Sequence, residues 1–129
     1  MINLAEIKIL VVEDDPAMSE VLCEYLQGEG ATTLSAPNGQ VALELMEVEK
    51  FDLVLTDLQM PIIGGMELLR RIRERDTESP IVLLVTGQAD ITEEIAIASG
   101  AVGLIHKPFD LMFLFEKISQ SLAVRVMVG

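Results

Sequence analysis

The sequence predicts an α/β fold built on a doubly wound, five-stranded parallel sheet with helices on both faces. Five strand and helix pairs of about 25 residues each alternate along the 129 residues, an order of elements that favours a parallel sheet. The strand segments are continuous apolar runs, as expected for strands that are covered on both faces. Because crossovers between parallel strands are right-handed, few topologies remain, and we expect the flavodoxin-like strand order 2-1-3-4-5.

The first pair begins with an apolar segment, residues 7–12, whose β-branched side chains predict a buried strand. Asp15 is a suitable N-cap, and Pro16 a suitable first residue, for the helix that follows. Apolar residues recur at helical spacing until Gly28 and Gly30, which we expect to end this helix.

The second and third pairs follow the same pattern. Residues 32–36 form a weaker strand, and Asn38 can cap the helix after it. Residues 53–56 form the third strand, which ends at Asp57, and a loop then leads to a helix with one apolar face. Basic residues favour the C-terminal end of that helix; they are Arg70, Arg71, Arg73 and Arg75.

The last two pairs complete the sheet. Residues 81–85 form the fourth strand, Asp90 is expected to cap the next helix, and Gly100 is expected to stop it as the C′ residue. Residues 102–106 form the fifth strand, and Asp110 is expected to cap the last helix.

Charge and composition exclude several classes of function. Nine basic residues stand against 21 acidic ones, and the net charge of -12 repels nucleic-acid backbones and anionic lipid surfaces. We therefore expect no direct contact with nucleic acid or with a membrane. Cys23 is the only cysteine, which excludes a disulfide framework and a thiolate zinc site; at helical spacing it is expected to be a small core residue.

The length suits a single domain, residues 1–129, with a folded core at residues 7–124 that ends with the last helix. No apolar run approaches the roughly 20 residues that a membrane-spanning helix needs. The N-terminus also lacks the basic start and apolar stretch of a secretory signal. We therefore expect a cytoplasmic protein.

Polar residues follow four of the five predicted strands. Glu13 and Asp14 follow the first, Asp57 the third, Thr86 the fourth and Lys107 the fifth. In a doubly wound sheet, ligands bind outside the carboxyl ends of the strands, at the switch between strands 1 and 3. We therefore expect these five side chains to face one crevice.

The carboxylates in this crevice require a positive charge nearby. Two carboxylates about 5 Å apart repel each other by roughly 3 kcal/mol at an effective dielectric constant near 20. Lys107 supplies one positive charge. A divalent cation would supply two more, and an all-oxygen site with room for water suits Mg²⁺.

The residue types then indicate phosphoryl chemistry. A carboxylate such as that of Asp57 is a competent nucleophile toward a phosphoryl group. Mg²⁺ and Lys107 would neutralise the oxygens of the transferring group, and the Thr86 hydroxyl could donate a hydrogen bond to one of them. His106 is expected to point away from the crevice, because neighbours in a strand alternate between faces.

At these positions the sequence resembles the receiver domain of two-component response regulators. The resemblance covers the chain from Lys8 to about Val124. Four motifs carry it in order and at the spacing of that family: residues 9–15, residues 53–61 with Gly65, residues 85–87 and residues 106–109.

The resemblance implies that Asp57 is the phosphoacceptor and takes a phosphoryl group from a phosphohistidine on a sensor histidine kinase or a histidine phosphotransfer protein. It implies Mg²⁺ held by Asp14, by Asp57 and by the backbone carbonyl of Gln59, with Glu13 acting partly through water. The domain would then be no enzyme in the usual sense, because it catalyses only its own phosphorylation and dephosphorylation within a phosphorelay.

The resemblance also implies how the signal leaves the site. Thr86 and Lys107 would bind the phosphoryl oxygens, the peptide bond between Lys107 and Pro108 would be cis, and Gly87 would leave the site open to a donor. Phosphorylation would switch the surface formed by helix 4, strand 5 and helix 5. Many receivers have an aromatic switch residue where this chain has Leu104, so we expect a muted or differently routed switch.

The last helix begins with residues 111–115, which are apolar all round a helical turn. Two interpretations are open. Either this segment only packs against the sheet, or part of it forms an outward apolar surface for a homodimer or another partner. A second departure from many DNA-binding response regulators is that residues 101–103 contain no acidic residue for dimer salt bridges.

Competing functions make different demands on the same sequence. A flavin carrier would cradle phosphate at the first loop, where Glu13, Asp14 and Asp15 would repel it, and no P-loop motif is present. An aspartate-nucleophile phosphatase of the haloacid-dehalogenase type would carry a second Asp where this chain has Gln59. A phosphorylation-independent interaction module is disfavoured because all the polar site positions are filled.

Overall fold

The computed structural model describes residues 4–128, which form five strands and five helices in strict alternation. The strands are β1 (Lys8–Val12), β2 (Thr32–Ala36), β3 (Leu53–Asp57), β4 (Ile81–Thr86) and β5 (Gly103–His106). The helices are α1 (Pro16–Gly28), α2 (Gly39–Val48), α3 (Gly65–Arg75), α4 (Glu93–Ala98) and α5 (Leu111–Val128). Each predicted strand is present, with ends that differ by at most one residue from the expectation.

The strands form one parallel sheet in the order β2-β1-β3-β4-β5, which confirms the predicted topology. The register aligns the carboxyl ends of neighbouring strands: Val12 pairs with Thr56, and Asp57 with Val85. Residues that directly follow β1 and β3 therefore lie side by side at one edge of the sheet.

The core consists of two apolar layers, one on each face of the sheet. Alternate residues of β1 enter different layers, since Leu10 and Val12 face α2 and α3 whereas Ile9 and Val11 face α1 and α5. β3 and β4 are buried at every position. This two-sided burial explains why these strands are continuous apolar runs in the sequence.

Three of the four predicted N-caps are confirmed. The carboxylate of Asp15 accepts from Ala17 N–H at 3.0 Å, the side chain of Asn38 from Val41 N–H at 2.9 Å, and the carboxylate of Asp110 from Phe113 N–H at 2.7 Å. These side chains satisfy helix donors that have no partner within the helix.

The fourth cap prediction was wrong. α4 begins at Glu93, and its N-cap is Thr92, whose hydroxyl accepts from Ile95 N–H at 3.2 Å. Asp90 lies in the loop before it. Both residue types can cap a helix, and the choice here follows from tertiary contacts that hold Glu93 against β5.

A glycine follows the end of α4, whereas α5 runs on through a segment without glycine or proline. Gly100 has φ +107°, the left-handed conformation of a C′ residue, which confirms its predicted place after α4. α5 continues to Val128, four residues beyond the expected end, because residues 125–128 contain no Gly or Pro to stop it.

The expected core position of Cys23 is only partly met. Cys23 is only half-buried and packs against the outside of the core layer between the sheet and α1 and α5.

Among residues 4–128, none of the helices combines the length and the apolar character that crossing a membrane requires.

Candidate functional site

Three carboxylates meet where β1 and β3 end. Ligand oxygens of Glu13, Asp14 and Asp57 all lie within 4.8 Å of one another. The side chains of Glu13 and Asp57 are buried, whereas Asp14 is exposed. The structure thus brings together the acidic residues that the sequence placed at this crevice, and their grouping follows from the parallel pairing of β1 with β3.

Lys107 supplies the positive charge among these carboxylates. Its Nζ donates to Asp57 Oδ2 at 2.6 Å and lies 3.6 Å from Glu13 Oε1. Its backbone N–H donates to the Thr86 carbonyl at 2.8 Å, which continues the pairing of β4 with β5 past the end of the strands. The peptide bond between Lys107 and Pro108 is cis, as expected.

Burial and neighbouring charges shift the pKa of two groups in the site. Burial raises the pKa of the Glu13 carboxyl above its ordinary value, although the Asp15 N–H, 3.0 Å from Glu13 Oε2, and the charge of Lys107 oppose the shift. Burial is the largest single influence on Lys107 and acts to lower its pKa, but the hydrogen bond to Asp57 and the negative charges of Asp57 and Glu13 together outweigh it, so the pKa lies above its ordinary value. Lys107 is therefore fully charged at neutral pH.

The remaining predicted site residues lie around Asp57. Gln59 donates its backbone N–H to Asp57 Oδ1 at 3.1 Å, so the loop after β3 folds back over the carboxylate. Thr86 is fully buried at the end of β4, and its hydroxyl oxygen accepts from Gln88 N–H at 3.0 Å. A Cβ added at Gly87 would meet no atom within 4 Å, so the space beside Gly87 is open.

Leu104 already lies in the core. Its side chain is 4% exposed and belongs to the apolar layer that also contains Leu84 of β4 and Ala96 of α4. Its backbone N–H donates to the side chain of Glu93, a residue that the sequence did not single out. No local pattern could have found Glu93, because its partners lie 11 and 24 positions away in the chain.

His106 points away from the carboxylates, as expected. Its Nε2 lies 2.8 Å from the backbone carbonyl of Ile91, in the loop between β4 and α4. The side chain thus contacts the segment that leads into α4.

The start of α5 has one buried side and one exposed side. Leu114 and Phe115 are buried against the sheet, whereas Met112 is 69% exposed and Phe113 44% exposed. The segment therefore packs on the core with one side and presents apolar side chains to solvent with the other.

Residues 9–119 match the family described as the response regulator receiver domain. The chain belongs to this family. The receiver domain is a module of two-component signal transduction, and the assignment does not favour the alternatives of a phosphatase or a phosphorylation-independent module. It also places the protein among signal-transduction domains and not among conventional enzymes.

Similar curated proteins agree with this assignment. An uncharacterised 14.6 kDa protein of Leptolyngbya boryana is 35% identical over 122 residues, 93% of each chain. The transcriptional regulatory protein CrdR of Helicobacter pylori is 36% identical over 88% of this receiver domain and 54% of its own length. The receiver domain thus spans about half the length of several of the curated relatives it matches.

Solved structures with the same fold include receiver domains. A CheY-like receiver domain protein of Methanospirillum hungatei aligns with a TM-score of 0.88 and 30% identity, covering 95% of this chain and 98% of its own. The response regulator TrrA of Thermotoga maritima, solved with Mg²⁺ and BeF, aligns with a TM-score of 0.80 and 32% identity, covering 89% and 98% of the two chains.

Proposed function

We propose that Asp57 is the phosphoacceptor of this receiver domain and takes a phosphoryl group from a phosphohistidine donor. The observation that carries this proposal is the position of its carboxylate. It lies between the amine of Lys107, 2.6 Å from Oδ2, and the two other carboxylates that follow β1. A nucleophile, a cation and an acidic pair that could hold a metal are the parts that phosphoryl transfer requires.

The residues fit a magnesium ion. Oxygens of Glu13, Asp14 and Asp57 lie within 4.8 Å of one another, and hard oxygen ligands suit Mg²⁺. Asp14, Asp57 and the backbone carbonyl of Gln59 would hold the ion directly, with Glu13 acting partly through water. When bound, the ion would neutralise charge on the phosphoryl oxygens.

The transfer itself balances without an external base. An oxygen of the Asp57 carboxylate forms the new bond to phosphorus as the bond between phosphorus and the donor's histidine nitrogen breaks, and that nitrogen keeps the electron pair. Lys107, which now binds Asp57, would move its hydrogen bond to a phosphoryl oxygen. The Thr86 hydroxyl, whose oxygen accepts from Gln88 N–H, would donate its proton to another phosphoryl oxygen.

The phosphorylated site would signal through the surface formed by α4, β5 and α5. Thr86 and Leu104 are the switch positions in this proposal. The side chain of Leu104 is already buried, so it cannot swing inward as an aromatic switch residue would. The conformational change at this position would be smaller or would follow a different route. This supports the expectation of a muted switch.

The partners follow from the same role. The donor would be a sensor histidine kinase or a histidine phosphotransfer protein, and the exposed Met112 and Phe113 on α5 would support a homodimer.

We propose that residues 1–129 are one receiver domain with its core at residues 7–124 and that it acts in the cytoplasm. Several relatives are transcriptional regulators about twice as long, so a DNA-binding output could lie in another part of such a protein.

Incubation with acetyl phosphate and Mg²⁺ tests the role of Asp57. Intact-protein mass spectrometry should show the gain of one phosphoryl group in the wild type and none in Asp57→Asn. Asp90→Asn, which removes an exposed carboxylate from the loop before α4, should still gain the group. A wild type that gains no mass with any phosphodonor would instead favour the phosphorylation-independent module.

A further inference from the structure

Glu93, the first residue of α4, joins three elements through one carboxylate oxygen. Its Oε2 accepts from Leu104 N–H of β5 at 3.1 Å and from Lys117 Nζ of α5 at 2.8 Å. Lys117 is 24% exposed and Glu93 44% exposed at their side chains, so the ion pair is partly shielded from solvent. We call these three groups the Glu93 latch.

Gly103 of β5 leaves room for the Glu93 carboxylate. A Cβ added at Gly103 would lie 3.0 Å from Glu93 Oε2, so a side chain at this position would crowd the carboxylate. The hydrogen bond from Lys117, followed by that from Leu104 N–H, lowers the pKa of Glu93, and the carboxylate is fully ionised at neutral pH.

A second contact anchors the same segment. The Nε2 of His106, in β5, lies 2.8 Å from the carbonyl oxygen of Ile91. Residues 91–93 are therefore fixed to β5 at two points, two residues apart. The loop before α4 is thus bound at its far end by residues outside the phosphorylation site.

The near end of this loop is Thr86, which lies beside that site. Only residues 87–90 separate Thr86 from Ile91, and the Thr86 hydroxyl oxygen is held within the loop by Gln88 N–H. A shift of Thr86 toward a phosphoryl group on Asp57 therefore strains a short segment whose other end is fixed. The backbone of Leu104, which bonds to Glu93, links this segment to the buried side chain at the switch position.

We propose that the Glu93 latch holds the loop between β4 and α4 in its unphosphorylated position and must open when a phosphoryl group binds at Asp57. The latch thereby lowers the affinity of the site for that group. A ligand that binds only a minor conformation has an apparent affinity reduced in proportion to the population of that conformation. The inference rests on the phosphoacceptor role proposed for Asp57. It assigns to Glu93, Gly103 and Lys117 a regulatory role that does not depend on an aromatic ring at residue 104.

Titration calorimetry with beryllium fluoride at saturating Mg²⁺ tests the latch. Glu93→Gln and Lys117→Met each remove the ion pair and should raise the affinity for beryllium fluoride by about 1.5- to 5-fold, the range that partly exposed ion pairs give. The double variant should gain no more than the stronger single variant, because both remove one interaction. Glu94→Gln removes the same charge from the same turn of α4 and should leave the affinity unchanged.

Amide hydrogen exchange of the metal-free protein gives a second readout. Exchange of the Leu104 amide should accelerate in Glu93→Gln, and urea unfolding shows whether each variant remains folded. Unchanged exchange at Leu104, or variants that bind beryllium fluoride no better than the wild type, would overturn the latch alone. A wild type that binds no beryllium fluoride with Mg²⁺ would overturn the phosphoacceptor role of Asp57 and the latch with it.

Discussion

Lys107 and Asp57 form a short ion pair across the carboxyl ends of β5 and β3, with 2.6 Å between Nζ and Oδ2. The side chain of Asp57 is buried and that of Lys107 about one-third exposed. In the metal-free protein this pair is the principal compensation for the charge of the acidic cluster among the described residues.

Lys107→Met should destabilise the metal-free protein by about 1–3 kcal/mol, because it leaves the buried carboxylate of Asp57 without its cation. Urea unfolding without Mg²⁺ measures this loss. Added Mg²⁺ should recover part of it, since a metal bound to the folded state supplies the missing charge. Equal unfolding free energies for the variant and the wild type would contradict the compensating role of Lys107.

Asp14→Asn should abolish most of the stabilisation that Mg²⁺ gives. At a metal concentration 100 times the dissociation constant, binding to the folded state stabilises it by about 2.7 kcal/mol, so the wild type should unfold at higher temperature with Mg²⁺. Thermal unfolding with and without the ion measures the difference.

Asp15→Asn is the matched control for that experiment. It removes the same charge one residue along the chain, and Asn caps helix α1 about as well as Asp. This variant should keep the response to Mg²⁺, and an equal loss in both variants would mean that only the total negative charge matters.

Gly65→Ala should destabilise the fold by about 1–3 kcal/mol through overpacking. A Cβ at this position would overlap the carbonyl oxygen of Asp57 and would lie 2.8 Å from the Cα of Leu58, both of them backbone atoms. Gly87→Ala adds the same methyl group where nothing lies within 4 Å and should change stability little. Urea unfolding of the two variants compares them directly.

Ile62→Asn should stabilise the protein by about 1 kcal/mol. Ile62 has φ +71°, a left-handed conformation that is costly for a β-branched residue and mild for Asn, and its side chain is 77% exposed, so little burial is lost. Val48, 78% exposed at the end of α2, is also β-branched but is not among the residues with positive φ. Val48→Asn should therefore bring no gain in stability. An equal gain in both variants would show that removal of an exposed apolar side chain, and not relief of backbone strain, is responsible.

Much of the site followed from the order of residues along the chain. Asp14 and Asp57 could be brought together from sequence because each lies at the carboxyl end of an apolar strand, and parallel strands place their carboxyl ends at one edge. Thr86 and Lys107 followed by the same reasoning from β4 and β5. Glu93 could not be found in this way, because its contacts with Leu104 and Lys117 join parts of the chain that no local pattern relates.

The amino-acid sequence by itself determined the alternation of elements and the residues at the carboxyl edge, because hydrophobic periodicity is a local property of the chain. The strand order followed from that alternation because crossovers between parallel strands are right-handed. Tertiary structure alone decided that Thr92 and not Asp90 caps α4, that Ile62 adopts a left-handed conformation, and that the Leu104 amide bonds to α4. Each of these depends on atoms from distant segments competing for one position. Where two residues have nearly equal propensities, as Asp and Thr have for the N-cap position, packing and the pairing of polar groups decide which one occupies it.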